Sequence, residues 1–142
     1  AAPEHPLAEL SEISLSALGE ETFLLREPGS GTRTVANKLF ARSKNLPRQG
    51  LEFGSNETIK QAVMAGMGVA VISAHTVAAE LQEGRLVSLD IKGLPINRKW
   101  YLVKHGQKRF LPSAQALWDF IARDGRQYLP QIPVRSPRAA RD

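Results

Sequence analysis

Apolar and polar positions along this chain switch repeatedly between a strand-like and a helix-like rhythm. Thr22-Phe-Leu-Leu-Arg26 is a short apolar run of buried-strand type. From Gly31 to Ser43 helix formers place Val35, Leu39 and Phe40 on one face. Leu51-Glu-Phe53 predicts a brief strand. Ser55 or Asn56 then caps a helix running to Ala65, with Ile59, Ala62, Val63 and Met67 as its apolar stripe. Gly66 and Gly68 end that helix and turn the chain into Val69–Ser73, a continuous apolar strand. Ala74–Gln82 reads as a short helix ended near Gly84, and Leu86–Ile91 alternates as a half-exposed strand does. Lys99–Lys104 predicts one more strand. Pro112 or Ser113 opens a last helix with Leu117, Trp118, Phe120 and Ile121 facing the core. Before all of these, Pro3 and Pro6 oppose a helix over residues 1–13, and Ser14–Gly19 forms one helical turn. Asn45, Pro47 and Gly50 mark a loop.

The resulting β-α-β-α-β order, with short loops, predicts an α/β fold: a mainly parallel sheet flanked by helices. Ligands of such sheets bind outside the carboxyl ends of the strands, where helix N-termini converge. Two segments occupy that position. Gly29-Ser-Gly-Thr-Arg33 joins the first strand to the first helix, and Gly54–Glu57 joins the second strand to the second helix. Glycines let the backbone approach a ligand, the first helical N–H groups have no intrahelical partner, and the helix dipole favours an anion. Hydroxyls of Ser30, Thr32 and Ser55 add donors, and an inward-turned Arg33 can chelate phosphate. Arg26 and Glu27, as neighbours on a strand, face opposite sides, which leaves Glu27 to orient Arg33 across the turn.

At 142 residues and 42% hydrophobic, the chain is long enough for one domain with a real core. No apolar run approaches the roughly 20 residues of a membrane span, and no signal-peptide pattern opens the sequence, so a cytoplasmic location is expected. The absence of cysteine excludes disulfides and thiolate chemistry. A net charge of +5 and a pI near 9.9 invite a nucleic-acid reading. The excess sits mostly in residues 123–142, however, where Arg123, Arg126, Arg135, Arg138 and Arg141 face only Asp124 and Asp142. This Arg/Pro-rich stretch reads as a disordered tail. With few aromatic residues to stack on bases, direct DNA binding by this chain alone is not expected.

Tests for catalytic chemistry fail in turn. The glycine-rich loop ends Gly31-Thr32-Arg33 without the lysine of a Walker motif, and Gly66-Met-Gly68 stands between helix and strand, the wrong order for a dinucleotide fingerprint. His5, His75 and His105 are scattered without metal-pair spacing. Ser30 is not in a nucleophile elbow. Neither an enzyme nor a metal or cofactor is implied.

Taken together, Arg26-Glu-Pro-Gly-Ser-Gly-Thr-Arg33, Ser55-Asn-Glu-Thr-Ile-Lys-Gln-Ala-Val63 running into Ala65–Ser73, and the Pro112–Ile121 helix resemble the effector-binding domain of LysR-type transcriptional regulators. His5-Pro-Leu-Ala8 and Glu80–Leu86 extend the match to roughly residues 5–122. Gly93-Leu-Pro-Ile-Asn-Arg-Lys-Trp-Tyr101 is most similar to the regulators of RuBisCO and Calvin-cycle operons, with sulfur-assimilation regulators next. The resemblance implies a periplasmic-binding-protein-like (type 2) fold of two lobes with a small-molecule effector between them. It implies an N-terminally truncated chain holding an incomplete second lobe (residues 5–97) and a segment returning to the first lobe (98–122). The DNA-reading helix-turn-helix would precede it in a homo-oligomeric full-length protein. It further implies that Gly29, Ser30, Gly31, Thr32, Arg33, Ser55 and Asn56 touch an anionic effector such as a sugar phosphate or reduced pyridine nucleotide. A solute-binding protein or small enzyme of similar fold is the alternative from another class.

Overall fold

In the computed structural model residues 1–42 and 48–133 are described. Ser43, Asn45, Pro47 and the tail arginines Arg135, Arg138 and Arg141 lie outside them. The chain divides into two compact units, Ala1–Pro95 and Ile96–Gln131.

The first unit is built around strand β1 (Thr22–Arg26), whose side chains alternate between two faces. Phe23 and Leu25 pack with Ala36 and Phe40 of helix α1 (Gly31–Phe40), the Phe23 and Phe40 rings meeting edge-on with centroids 4.8 Å apart. Leu24 packs on the other side, with Ile59, Ala62 and Val63 of helix α2 (Asn56–Met64). Leu24 and Ile59 are wholly enclosed, and burying each contributes about 1.5–3 kcal/mol. Val77 and Leu86 complete the second cluster, beside a turn of 3-10 helix at Ala74–Val77 and the short helix α3 (Ala78–Gln82).

Strand β2 (Arg48–Phe53) runs parallel to β1, pairing Thr22 with Arg48 and Arg26 with Phe53. The register shifts between Phe23 and Leu25, so Gly50 and Leu51 stand opposite Leu24 alone. Gly50 suits this bulge because a Cβ there would lie 2.6 Å from Thr22 Cγ2. On the other edge of β1, Val69 adds one parallel rung, through Leu24 N–H to Val69 O and Val69 N–H to Thr22 O, both 2.9 Å.

The predicted order of β1, α1, β2, α2 and α3 is observed, with two shifts in side-chain placement. Ala36 takes the buried position on α1 while Val35 is half-buried, and Met67, beyond the end of α2, is exposed. Pro6–Glu9 forms a 3-10 turn where none was expected. Proline is tolerated as its first residue, and His5 Nδ1 caps it by accepting the Leu7 N–H. The expected turn near Ser14 is also 3-10, over Leu15–Glu20.

Three expected strands are not ladders among the described residues. Val69–Ser73 contributes only the Val69 rung, and Leu86–Ile91 only a parallel bridge between Ile91 and Ile13. Val69, Leu86 and Ile91 are nonetheless buried. Their apolar pattern reports burial, whereas a strand also needs a neighbouring edge with which to pair.

Lys99–Lys104, in the second unit, is exposed and forms no strand. There the regular elements are helix α4 (Pro112–Asp124) and a 3-10 turn at Gly125–Tyr128, so helical structure extends through Arg123 and Asp124. The core face expected of α4 is not buried: Leu117, Phe120 and Ile121 are exposed and the helix has no buried residue. Within the unit, Trp118 lies 5.5 Å from Phe110 and Phe120 lies 5.5 Å from Tyr128, centroid to centroid. Lys104 Nζ sits 4.9 Å over the Phe110 ring. These small aromatic contacts leave most of the apolar face open.

Candidate functional site

The site lies where β1 and β2 end. Because the strands are parallel and Arg26 pairs with Phe53, their carboxyl ends are level, and Glu27 N–H closes the pair onto Phe53 O at 3.2 Å. Each strand then leads into a helix packed on one face of β1. Both helix N-termini therefore stand at the carboxyl end of the sheet.

The first junction is a β-turn over Glu27–Ser30, closed by Ser30 N–H to Glu27 O at 3.2 Å. Pro28 supplies the fixed φ of its second position and Gly29, at φ +92°, the left-handed third position. Ser30 is the N-cap of α1: its Oγ accepts the Thr32 N–H at 3.2 Å, and Thr34 Oγ1 donates to its carbonyl at 3.1 Å. Gly31 is the first helical residue. The second junction repeats the device with Ser55, whose Oγ accepts from Glu57 N–H at 3.1 Å and Thr58 N–H at 3.5 Å. In both caps the oxygen is used as acceptor, so each hydroxyl proton remains a donor.

Arginines knit the junctions together. Arg26 and Glu27 form a two-pronged pair, Nε to Oε2 and Nη2 to Oε1, both 2.7 Å. This corrects the expectation that they face opposite sides, since Glu27 lies past the last residue of β1 and is free of the strand's alternation. The hydrogen bond from Arg26 holds the Glu27 carboxyl below its usual range, and the same bond raises Arg26. Arg26 Nη1 also donates to Asn56 Oδ1 at 2.7 Å.

Arg33 turns back toward the strands, not outward to solvent. Its Nη1 donates to the Arg26 carbonyl at 2.9 Å and to Glu52 at 3.1 Å, and its Nε to Asn37 at 3.1 Å. Glu52, not Glu27, is therefore its carboxylate partner. Sequence reasoning missed Glu52 and the bridging role of Arg26. The first is 19 residues from Arg33, beyond any local pattern. The second was signalled only by a charged residue closing an apolar strand.

The residues expected at the site thus fall into two groups, Gly29–Arg33 at the start of α1 and Ser55–Asn56 at the start of α2, linked through Arg26. The arrangement offers hydroxyl and amide donors on a framework whose arginine charges are already matched by Glu27 and Glu52. Among the described residues no helix is long and apolar enough to cross a membrane.

Comparison with known proteins decides the family. The LysR substrate binding domain matches residues 1–126. The chain belongs to the LysR substrate-binding-domain family. It is 51% identical over 133 residues to the HTH-type transcriptional regulator CbbR of Xanthobacter flavus, covering 92% of this chain and 40% of that protein. It is 46% identical over 121 residues to the RuBisCO operon transcriptional regulator of Allochromatium vinosum, covering 85% of this chain and again 40% of the relative. The chain therefore spans about two-fifths of the length of these regulators. Among solved structures, the Synechocystis PCC6803 CcmR regulatory domain in complex with 2-PG superposes with a TM-score of 0.77 at 43% identity, over 85% of this chain and 58% of that one. The effector binding domain of QuiR, in complex with shikimate, shares the fold with a TM-score of 0.72 at 23% identity. The fold is that of LysR effector-binding domains, α/β with parallel strand pairing, and its relatives are transcriptional regulators.

Proposed function

We propose that this chain senses a small phosphorylated or anionic metabolite for a LysR-type regulator of the RuBisCO and Calvin-cycle type. Gly29, Ser30, Gly31, Thr32, Arg33, Ser55 and Asn56 form one wall of its effector cleft. The observation that carries the reading is the pairing of two capped helix N-termini at the carboxyl end of the sheet, with hydroxyl protons and leading amides as donors. The 43% identical CcmR domain, solved with 2-PG, supports an effector of this chemistry. Arg33 acts in the wall chiefly by fixing the Arg26 carbonyl and Glu52.

In this reading the protein is a cytoplasmic regulator and not an enzyme. Residues 5–97 serve as most of the second lobe and 98–122 return to the first. DNA is contacted by a helix-turn-helix elsewhere in a homo-oligomeric whole protein. Effector binding shifts the balance between lobe arrangements only by its differential affinity for them.

Calorimetric titration with 2-phosphoglycolate tests the site. Replacing Ser30 and Thr32 together by alanine weakens binding at least tenfold, the loss of two hydrogen bonds to a charged ligand of about 0.7 kcal/mol or more each. Unchanged affinity in that double variant contradicts the assignment.

A further inference from the structure

We infer that Arg26 is the positioning residue of this site: it holds the starts of α1 and α2 in register and sets the amide of Asn56 so that its amino group faces an anion. The inference rests on the ligand-sensing reading above and extends it to a residue outside the proposed contact set.

Four parts of the junction converge on Arg26. Its carbonyl accepts from Arg33 Nη1 of α1 at 2.9 Å. Its Nη1 donates to Asn56 Oδ1, at the first residue of α2, at 2.7 Å. Its Nε and Nη2 are gripped by Glu27 in the turn, at 2.7 Å each. Its backbone ends β1 and pairs with Phe53 at the end of β2. The side chain is only 17% exposed, so these bonds are partly shielded from water and salt.

The chemistry requires arginine. One planar guanidinium presents a two-pronged edge to Glu27 and still has an N–H on another edge for Asn56. Lysine has a single nitrogen and cannot present both geometries at once. The bond to Asn56 has a further consequence. A carboxamide has an oxygen that accepts and an amino group that donates. With Oδ1 committed to Arg26, the Nδ2 amino group on the other branch is left to donate. A freely rotating Asn56 would present its carbonyl oxygen to an anion part of the time, which repels it. Arg26 therefore raises affinity for anions without touching them.

The test measures the affinity of the full chain for 2-phosphoglycolate in wild type, Arg26→Gln, Asn56→Ala and the double variant, with Arg26→Lys as a second replacement that keeps the charge. Arg26→Gln and Arg26→Lys each weaken binding by about tenfold, the scale of one charge-assisted hydrogen bond. Because Arg26 acts through Asn56, the double variant binds within about twofold of Asn56→Ala alone, a non-additivity that general loosening does not produce. Wild-type affinity in both Arg26 variants, or fully multiplicative effects in the double variant, overturns the inference.

Amide hydrogen exchange of the ligand-free chain separates this outcome from failure of the sensing proposal. In Arg26→Gln the Glu57 amide at the start of α2 exchanges about tenfold faster, while the Leu24 amide of the core keeps its wild-type protection. If wild type does not bind the probe, the sensing reading falls. Unchanged exchange at Glu57 then overturns the positioning role as well.

Discussion

Lys60 Nζ lies 2.8 Å from Glu80 Oε1, an ion pair joining α2 to α3 with both side chains nearly enclosed. Lys60 also reaches Glu57 at 2.7 Å, and Arg85 stands 3.5 Å from the same Glu80 oxygen. The other carboxylate oxygen, Oε2, is buried without a hydrogen-bond partner among the described residues. Lys60 is one helical turn beyond Asn56, so the pair anchors the helix that carries the second half of the site.

Breaking this pair from the lysine side strands a buried carboxylate, which costs more than the pair itself contributes. Lys60→Met is expected to destabilise the chain by on the order of 2 kcal/mol, moderated by the remaining Arg85. Glu80→Gln, which keeps an acceptor for Lys60 and removes the buried charge, has a smaller effect. Urea unfolding of the two variants checks the order, and a larger loss for Glu80→Gln contradicts it.

The same carboxyl predicts an acid limb. The hydrogen bond from Lys60 holds Glu80 below its ordinary value of 4.5, against the opposing effect of burial. A lowered folded value means that the stabilisation is present above pH 4.5 and lost as pH falls through the folded value. Wild type and Glu80→Gln should therefore differ in unfolding midpoint at neutral pH, and the difference should shrink as pH falls below 4.5. Glu57 is shifted in the same direction, first by Lys60, but its exposed pair is weakened by salt. A gap that stays constant down to pH 3 would falsify this account.

Gly68 makes a sharper demand on the backbone than any other glycine described here. It has φ +152°, and a Cβ there would overlap the Thr22 carbonyl, which accepts the Val69 N–H. Gly68→Ala is expected to cost at least about 2 kcal/mol, because either β1 or the Val69 rung must move. Gly54→Ala, where no atom lies within 4 Å of the added carbon, should stay within about 0.5 kcal/mol. Equal stability of the two variants in urea unfolding would show that the close approach at Thr22 is not a constraint.

Ser55 separates helix capping from ligand binding. Ser55→Ala removes the acceptor for Glu57 and Thr58 and should cost about 1 kcal/mol of stability. Ser55→Asp preserves the cap, and so the stability, yet places a negative charge where the proposed anion sits. Affinity for 2-phosphoglycolate should fall further in Ser55→Asp than in Ser55→Ala, although the aspartate variant is the more stable. Parallel losses in both properties would leave Ser55 as a cap only.

What could be read from the sequence was what depends on neighbours within one or two turns. The apolar run at Phe23–Leu25, the stripe at Ile59, Ala62 and Val63, and the cap at Ser55 all stand where local chemistry puts them. Pairing was less legible. Val69, Leu86 and Ile91 are buried as their pattern implies, but whether a buried segment becomes a strand depends on which edge meets it. The apolar face of α4, with Leu117, Phe120 and Ile121, shows the same limit for helices, since periodicity gives a face and not its cover. At the site, donors were visible while their wiring was not. Arg33 to Glu52 and Arg26 to Asn56 join residues 19 and 30 apart, and the strand's end at Arg26 released Glu27 from the alternation rule.

The most direct measurement is a backbone amide NMR titration of the chain with 2-phosphoglycolate. Saturable shifts are expected at Gly31, Thr32 and Arg33 and at Asn56, Glu57 and Thr58, with the core amides of Leu24 and Ile59 unmoved. Shifts confined to other surfaces, or none at millimolar ligand, would contradict a site at the paired helix N-termini.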